Sequence, residues 1–312
     1  MEKVLIALGG NALLRAEEKG TDKEQLKHVK ETCLHFLNII NAGYSLAITH
    51  GNGPQVGAIL LKNEICKETL PSMPLDICGA QSQGFIGYMI QRELLNVLEE
   101  HKKDIPVVCI VTQVLVDKKD KAFENPTKPI GPFYTEEEKT KIEKEKGWKM
   151  VYQEGKGFRR VVPSPTPIDI IEGNTIKNLF DEGYVVISCG GGGIPVIRES
   201  ENILIGVEAV IDKDRTASVL AKKIDADVLM ILTDVEKVAI NFSKPDQKDL
   251  DSLTVEEAKK YIKENQFGKG SMEPKVEAAC SFLKQGGKKA IITSLEKSVL
   301  ALNGKTGTTI TL

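Results

Sequence analysis

No apolar run in this chain approaches the roughly 18 residues that a membrane-spanning helix requires, and the sequence predicts no such span. Charge of one sign is equally scarce. The 42 basic and 44 acidic residues leave a formal net charge of -2, which provides neither a tail for nucleic acid nor a cationic face for a lipid surface. The expected partners are small molecules or a second copy of the chain. The six cysteines, Cys33, Cys66, Cys78, Cys109, Cys189 and Cys280, form no Cys-x-x-Cys pair, which argues against a zinc site or a disulfide frame. They read as reduced, mostly buried small apolar residues. No secretory leader is expected either, since Met1-Glu2-Lys3 passes straight into a short apolar run, Val4 to Leu8, that ends at Gly9-Gly10. That run is too short for the apolar core of a signal peptide, and the expected location is the cytoplasm.

Two well-known nucleotide fingerprints are also absent. Gly51-Asn52-Gly53 has no glycine three residues on, and Gly304-Lys305-Thr306 carries only the end of the phosphate-loop motif. A dinucleotide-dependent dehydrogenase and a P-loop enzyme are both disfavoured. No nucleophile and base pair can be read. His50 sits beside a glycine loop, where it is in reach of a ligand but reads first as a locally satisfied ring, and His28, His35 and His101 read as helix-surface residues. Direct group transfer is favoured over a covalent enzyme intermediate.

What is present is a repeating unit of strand, glycine loop and helix, with 41% hydrophobic residues to fill one large domain or two ordinary ones. Val4 to Leu8 is a continuous apolar run, the pattern of a strand buried on both faces. Thr21-Asp22-Lys23-Glu24 has capping-box spacing, and Leu26, Val29, Cys33, Phe36 and Ile40 recur at helical intervals until Asn41-Ala42-Gly43. Strands are predicted at 46–49, 107–111, 184–188, 228–232 and 290–293, and helices at 56–65, 83–100, 168–181 and 215–224, with another after Pro274. A second capping box lies at Thr254 to Glu257, and the tail from Thr308 reads as a last, edge strand. This alternation predicts a mainly parallel sheet with helices on both faces. The segment from Asp117 to Arg160 breaks the rhythm. It is too polar for core and reads as a surface excursion, although Pro126, Pro129 and Pro132 stiffen the chain around Lys128.

Three glycine clusters, Gly9-Gly10-Asn11, Gly51-Asn52-Gly53 and Gly190 to Gly193, each follow a predicted strand. In an open parallel sheet such loops share one edge, where backbone amides and helix N-termini can hold phosphate or carboxylate groups. Phosphoryl transfer needs little more than positioned amides and cations. Candidate cations are Lys128, Lys213, set between Asp212 and Asp214, and Lys275, just after Pro274. An ordinary capped helix start with surface charges explains Lys213 equally well at this point.

Several strings taken together are similar to the carbamate kinases of the amino-acid-kinase family. They are Ala7 to Ala12, His50 to Gly57, Asn125 to Pro132, Val161 to Pro165, Gly190 to Pro195 and Ala209 to Asp214, and the likeness covers essentially the whole chain. The resemblance implies a three-layer αβα sandwich around a mainly parallel sheet, with residues 117–162 as a protruding lid subdomain. It implies an acceptor lobe over 1–205, a nucleotide-binding lobe over 206–312, and a cytoplasmic homodimer that uses magnesium with ATP or ADP. Gly9, Gly10 and Asn11 then match the loop at the transferring phosphate, with Asp234, Val235 and Met272 beside the nucleotide. Gly51, Asn52 and Gly53 match the loop around carbamate, joined by Gly191 and Gly192. Lys128 matches a lysine brought down by the lid, while Lys213 and Lys275 match those on the moving phosphoryl group and the nucleotide phosphates, organised by Asp214. No residue is assigned to a metal. The implied reaction is reversible, ATP plus carbamate giving ADP plus carbamoyl phosphate, used to make ATP in arginine breakdown. Gly157-Phe158-Arg159 departs from the Gly-Trp-Arg of relatives, and Val151 to Glu154 departs from their acidic stretch, which bears on the lid and not on the reaction class. Two other readings stand beside this one. One is a relative acting on acetylglutamate, aspartate or UMP, against which the Lys128 segment argues; the other is a nucleotide sensor without turnover, which need not keep all three lysines.

Overall fold

The structure is a computed structural model and describes residues 1–15 and 18–312. Strand β1 (Glu2–Leu8) is buried from Val4 to Leu8 because it crosses the middle of a sheet covered on both faces. Helix α1 (Asp22–Asn41) opens on the expected capping box, in which Thr21 and Glu24 each bond the other's backbone amide. Next come β2 (Tyr44–His50), α2 (Gly53–Cys66), α3 (Leu75–Glu100) and β3 (Val107–Cys109). Helix α3 begins at Leu75 and not at Gln83 as the periodicity suggests. Its N-cap is Pro74, and Gly79 and Gly84 dilute the apolar pattern of its first turns.

The chain then leaves the main sheet. After β4 (Gln113–Val116), the elements β5 (Lys128–Tyr134), α4 (Glu136–Lys146), β6 (Lys149–Gln153) and β7 (Gly157–Val162) form the lid. Its strands run antiparallel in the order β5-β7-β6. A capping box of Thr135 and Glu138 starts α4, and a left-handed Gly147 ends it. The segment is therefore ordered despite its polarity. The return begins with β8 (Pro167–Ile170), where the sequence predicts a helix from Ile168. Pro167 has no N–H to donate and fits this edge strand, so α5 (Gly173–Asp181) starts only at Gly173. Strands β9 (Val185–Ile187), β10 (Ile194–Ser200) and β11 (Ile203–Gly206) follow, and a second sheet assembles as β11-β10-β4-β8.

The remainder comprises α6 (Lys213–Lys223), β12 (Val228–Leu232), the hairpin β13 (Val238–Ile240) and β14 (Lys248–Leu250), and β15 (Ser252–Thr254). It closes with α7 (Val255–Lys263), α8 (Met272–Lys284), β16 (Lys289–Thr293), α9 (Ser298–Leu302) and β17 (Thr308–Thr311). Among the described residues, eight strands form the main sheet in the order β15-β17-β16-β12-β1-β2-β9-β3. Every neighbouring pair is parallel except β16 with β17. The tail strand β17 is not at the edge, since β15 covers it; β15 is a short polar stretch that carries no strand signature of its own.

Side chains alternate between two cores. Leu5 and Ala7 of β1 face the helices α5, α6, α7 and α8, while Val4, Ile6 and Leu8 face α1, α3 and α9. Each fully buried Leu or Ile contributes on the order of 2 kcal/mol, so both layers are needed to fix the register of the strands. The result is the expected three-layer αβα sandwich. The sheet continues without a break between β1 and β12, whose partners include Val4 with Val228.

Candidate active site

Because β1, β2 and β9 are adjacent and parallel, the loops after them emerge side by side. The Gly51 amide bonds the Leu8 carbonyl at 3.1 Å, tying the second loop to the end of β1. A methyl group at Gly51 would stand 3.6 Å from the Gly10 amide nitrogen and 3.5 Å from the Lys213 side chain. Two glycine loops and one lysine therefore meet at a point. Asn52 donates from Nδ2 to Ser82 Oγ at 2.7 Å, which leaves the first turn of α2 without a side-chain cap.

The third cluster also carries the chain that enters α6. Gly191, Gly192 and Gly193 all have positive φ, at 68°, 92° and 83°. A Cβ on Gly192 would lie 2.3 Å from the Ile211 carbonyl oxygen, and one on Gly191 would overlap the Asn52 side chain. Thr216 Oγ1 donates to the Gly192 carbonyl at 2.8 Å. The turn is thus a bed on which the chain entering α6 lies, and only glycine permits so close an approach.

The Asp212-Lys213-Asp214 sequence is a capped helix start, but its lysine is not a surface charge, and of the two flanking carboxylates only Asp214 bonds it. Asp212 caps α6, accepting the amides of Asp214 at 3.0 Å and Arg215 at 3.3 Å, while Lys213 is the first helical residue. Asp214, only 2% exposed, receives Lys213 Nζ at 2.5 Å and Lys275 Nζ at 2.8 Å. Lys128 reaches down from β5 to the second oxygen of Asp212 at 3.1 Å. Its extended backbone is favoured by Pro129, which disfavours helix in the residue before it.

Burial works against both charges of the central pair. It pushes the Asp214 carboxyl up, but Lys213 and Lys275 outweigh it and hold that carboxyl below its ordinary range. Burial pulls the Lys213 ammonium down from its ordinary value; Asp214 opposes this and Lys275 adds to it. His50 is buried beneath the loops with Nδ1 2.9 Å from the Gly51 carbonyl oxygen, and burial lowers it to about 4, so it stays neutral. It is a packed, locally bonded ring, as expected. His28 is not on a surface: it is buried and bonded through Nε2 to Glu18 at 2.7 Å. That partner lies in a loop that helical periodicity does not place.

Gly10, Gly51, Asn52, Gly53, Lys128, Gly191, Lys213, Asp214 and Lys275 line one cleft of about 310 Å³. Asp212 and Arg159 also line it, so Lys128, Lys213, Lys275 and Arg159 face only two carboxylates. The excess is positive and suits an anion. Arg159 was not foreseen as a site residue, although the alternation of Gly157-Phe158-Arg159 along a strand could have found it. Its Nε donates to the Gly131 carbonyl at 2.9 Å and its guanidinium lies 5.2 Å from the Phe133 ring centroid. Phe158 packs within the lid against Tyr152 and Lys139.

The remaining expected residues lie elsewhere. Gly9 and Asp234 line a separate cleft of about 350 Å³, walled by residues of α1 including His28 and His35. Val235 is half-buried in the loop after β12, and Met272 is the first residue of α8, packed on the core. Gly192 is buried beneath the cleft. The backbone of Asn11 belongs to the short turn after β1, but its side chain lies outside what the structure describes.

The sequence matches the amino acid kinase family over residues 2–294. The chain belongs to the amino acid kinase family. It is accordingly a phosphotransferase, and its relatives narrow the comparison. It is 51% identical over 313 residues to the carbamate kinase of Thermococcus kodakarensis, and 52% identical over 312 residues to that of Pyrococcus horikoshii, with 99% of each chain covered. The carbamate kinase of Giardia lamblia bound to AMP-PNP superposes with a TM-score of 0.94 at 48% identity, over 99% of this chain and 98% of that one. The lid and the cleft described above lie within this matched fold.

Proposed function

We propose that this amino acid kinase transfers a phosphoryl group between ATP and carbamate, giving ADP and carbamoyl phosphate. The observation that carries the reading is the convergence of Lys128, Lys213 and Lys275, from three separate elements, on the glycine loops and on two carboxylates. The names of the relatives supply the acceptor. A carbamate oxygen is already anionic and attacks without giving up a proton, which suits a cleft whose histidine is held neutral and whose cations are lysines.

In this reading residues 1–205 form the acceptor lobe and 206–312 the nucleotide lobe, and the cleft lies where the two meet. Lys128 and the amides of Gly51, Asn52 and Gly53, together with Gly191 and Gly192, hold the carbamate carboxylate. Lys213 faces the moving phosphoryl group beside Gly10. Lys275, in the first turn of α8, takes the nucleotide phosphates, with Gly9, Asn11, Asp234, Val235 and Met272 around the rest of the nucleotide. Asp214 fixes both ammonium groups in place before the substrates arrive, so the charge that develops in transfer meets preorganised cations. The carboxylate oxygens of Asp214 are both taken by lysines, and those of Asp212 by Lys128 and the cap. These two carboxylates are therefore engaged, and in this reading magnesium would enter with the nucleotide and neutralise phosphate charge.

Carbamoyl phosphate is a mixed anhydride and transfers its phosphoryl group readily. We accordingly assign the working direction to ATP formation, as in arginine breakdown, within the cytoplasm, where six free thiols are at home. A homodimer is part of the same reading. Helix α3 exposes Ile77, Phe85, Tyr88 and Leu95, whose helical spacing groups them on one side of the helix as an apolar stripe.

The test is ATP formation from ADP, magnesium and carbamoyl phosphate. Purified protein should form ATP rapidly, and Lys213→Ala should lower the rate roughly a thousandfold. Absence of ATP from a folded protein that still binds ADP would remove carbamoyl phosphate as the donor.

A further inference from the structure

The two oxygens of Asp212 serve two parts of the molecule. Oδ1 accepts the amides of Asp214 and Arg215 and so starts α6, while Oδ2 accepts the ammonium of Lys128. Lys128 stands on a lid strand and Asp212 in the body, 84 residues apart. Among the described residues, strand β5 bonds to β7 of the lid sheet and to no strand of the main sheet, and its Ile130 packs in one apolar cluster with Val56 and Leu75 of the body. The lid is also joined to the body farther from the cleft, by Lys146 with Glu64 at 2.5 Å and by Arg160 with Glu208 at 2.8 Å. Of these three ion pairs, the one with Asp212 ends inside the cleft.

We propose that Asp212 is a positioning residue that sets Lys128 over the acceptor end of the cleft, in step with Lys213 and Asp214 on the same helix turn. The inference rests on the carbamate kinase reading above. A lysine side chain loses up to about 2 kcal/mol of rotamer freedom when it is held in one place. Asp212 makes that restraint a feature of the protein and not a cost of binding each acceptor. Lys213 and Lys275 bond the other carboxylate, Asp214, and Asp212 acts on Lys213 through its field alone, so loss of the Asp212 charge acts first on the acceptor and leaves Lys275 at the nucleotide phosphates.

Asp212→Asn separates this role from capping, because asparagine accepts the helix amides as well as aspartate does. In ATP formation the KM for carbamoyl phosphate is expected to rise about fivefold or more, while the KM for ADP and the melting temperature stay unchanged. In a Lys128→Ala background the same substitution should have no further effect, as expected if Asp212 acts through Lys128. A KM for carbamoyl phosphate within roughly twofold of the parent, or effects of the two substitutions that multiply, would overturn the proposal. If the parent forms no ATP, the reaction reading has failed and the lid itself decides. Lys128 is then read directly: its side chain is 38% exposed and its ammonium is bonded to Asp212, so Asp212→Asn should raise the rate of its reductive methylation, followed by peptide mass spectrometry, and an unchanged rate overturns the role.

Discussion

Lys213 and Asp214 are neighbours in sequence and partners in space, and their titration sets the pH range in which the cleft keeps its charges. The Asp214 carboxyl lies below its ordinary value of 3.8. Its ion pairs therefore add stability above that value, and the contribution is lost as pH falls through the lowered one. Lys213 is lowered from 10.5, so its charge is lost earlier on the alkaline side than that of an ordinary lysine. We expect kcat/KM for ATP formation to fall with an alkaline midpoint below 10.5, and Lys213→Arg, if active, to move that limb upward. His50, held at about 4, should add no limb between about pH 5 and pH 8. A histidine limb in that range, abolished by His50→Gln, would contradict its neutral, packed role. The three lysines were legible as residues because each sits in a distinctive local setting. The pairing of Lys128 with Asp212 and of Lys275 with Asp214 was not, because nothing local to either lysine names its partner.

Among elements, the turn before β10 shows how a glycine run supports the chain that carries Asp212 into α6. Gly192 carries a φ of 92° and has no room for a Cβ beneath the Ile211 carbonyl. Gly192→Ala should cost about 2 kcal/mol of stability, read as a lower urea midpoint. It should also lower kcat/KM, because Ile211 immediately precedes Asp212. Gly53→Ala is the control, with nothing within 4 Å of its added Cβ and no positive φ; its stability should stay within about 0.5 kcal/mol of the parent. The capping boxes at Thr21 and Thr254 announced their helices because the whole signal lies within four residues. The one at Thr135 sits in a segment whose polarity masked its order, and β8 and β15 are too short to carry a period.

At the scale of the molecule, the proposed homodimer can be tested on the exposed α3 face. Tyr88, 57% exposed, should tolerate Tyr88→Glu without loss of fold, and that charge should turn a dimer into a monomer in sedimentation equilibrium. An unchanged mass would place any interface elsewhere. The sequence alone determined the three-layer class, because its short apolar runs end at glycines and alternate with helical periods, the pattern of strands covered on both faces. It also determined that three glycine loops share one edge, since parallel strands place their ends together. Only the tertiary structure decided that β12 lies beside β1, that a second sheet carries β4, β8, β10 and β11, and that the lid brings Lys128 to Asp212. Those facts depend on contacts between residues far apart in the chain, whose energies come from packing and charge pairing after collapse. No local pattern encodes such contacts, whereas caps, turns and periods are enforced by each residue's immediate neighbours.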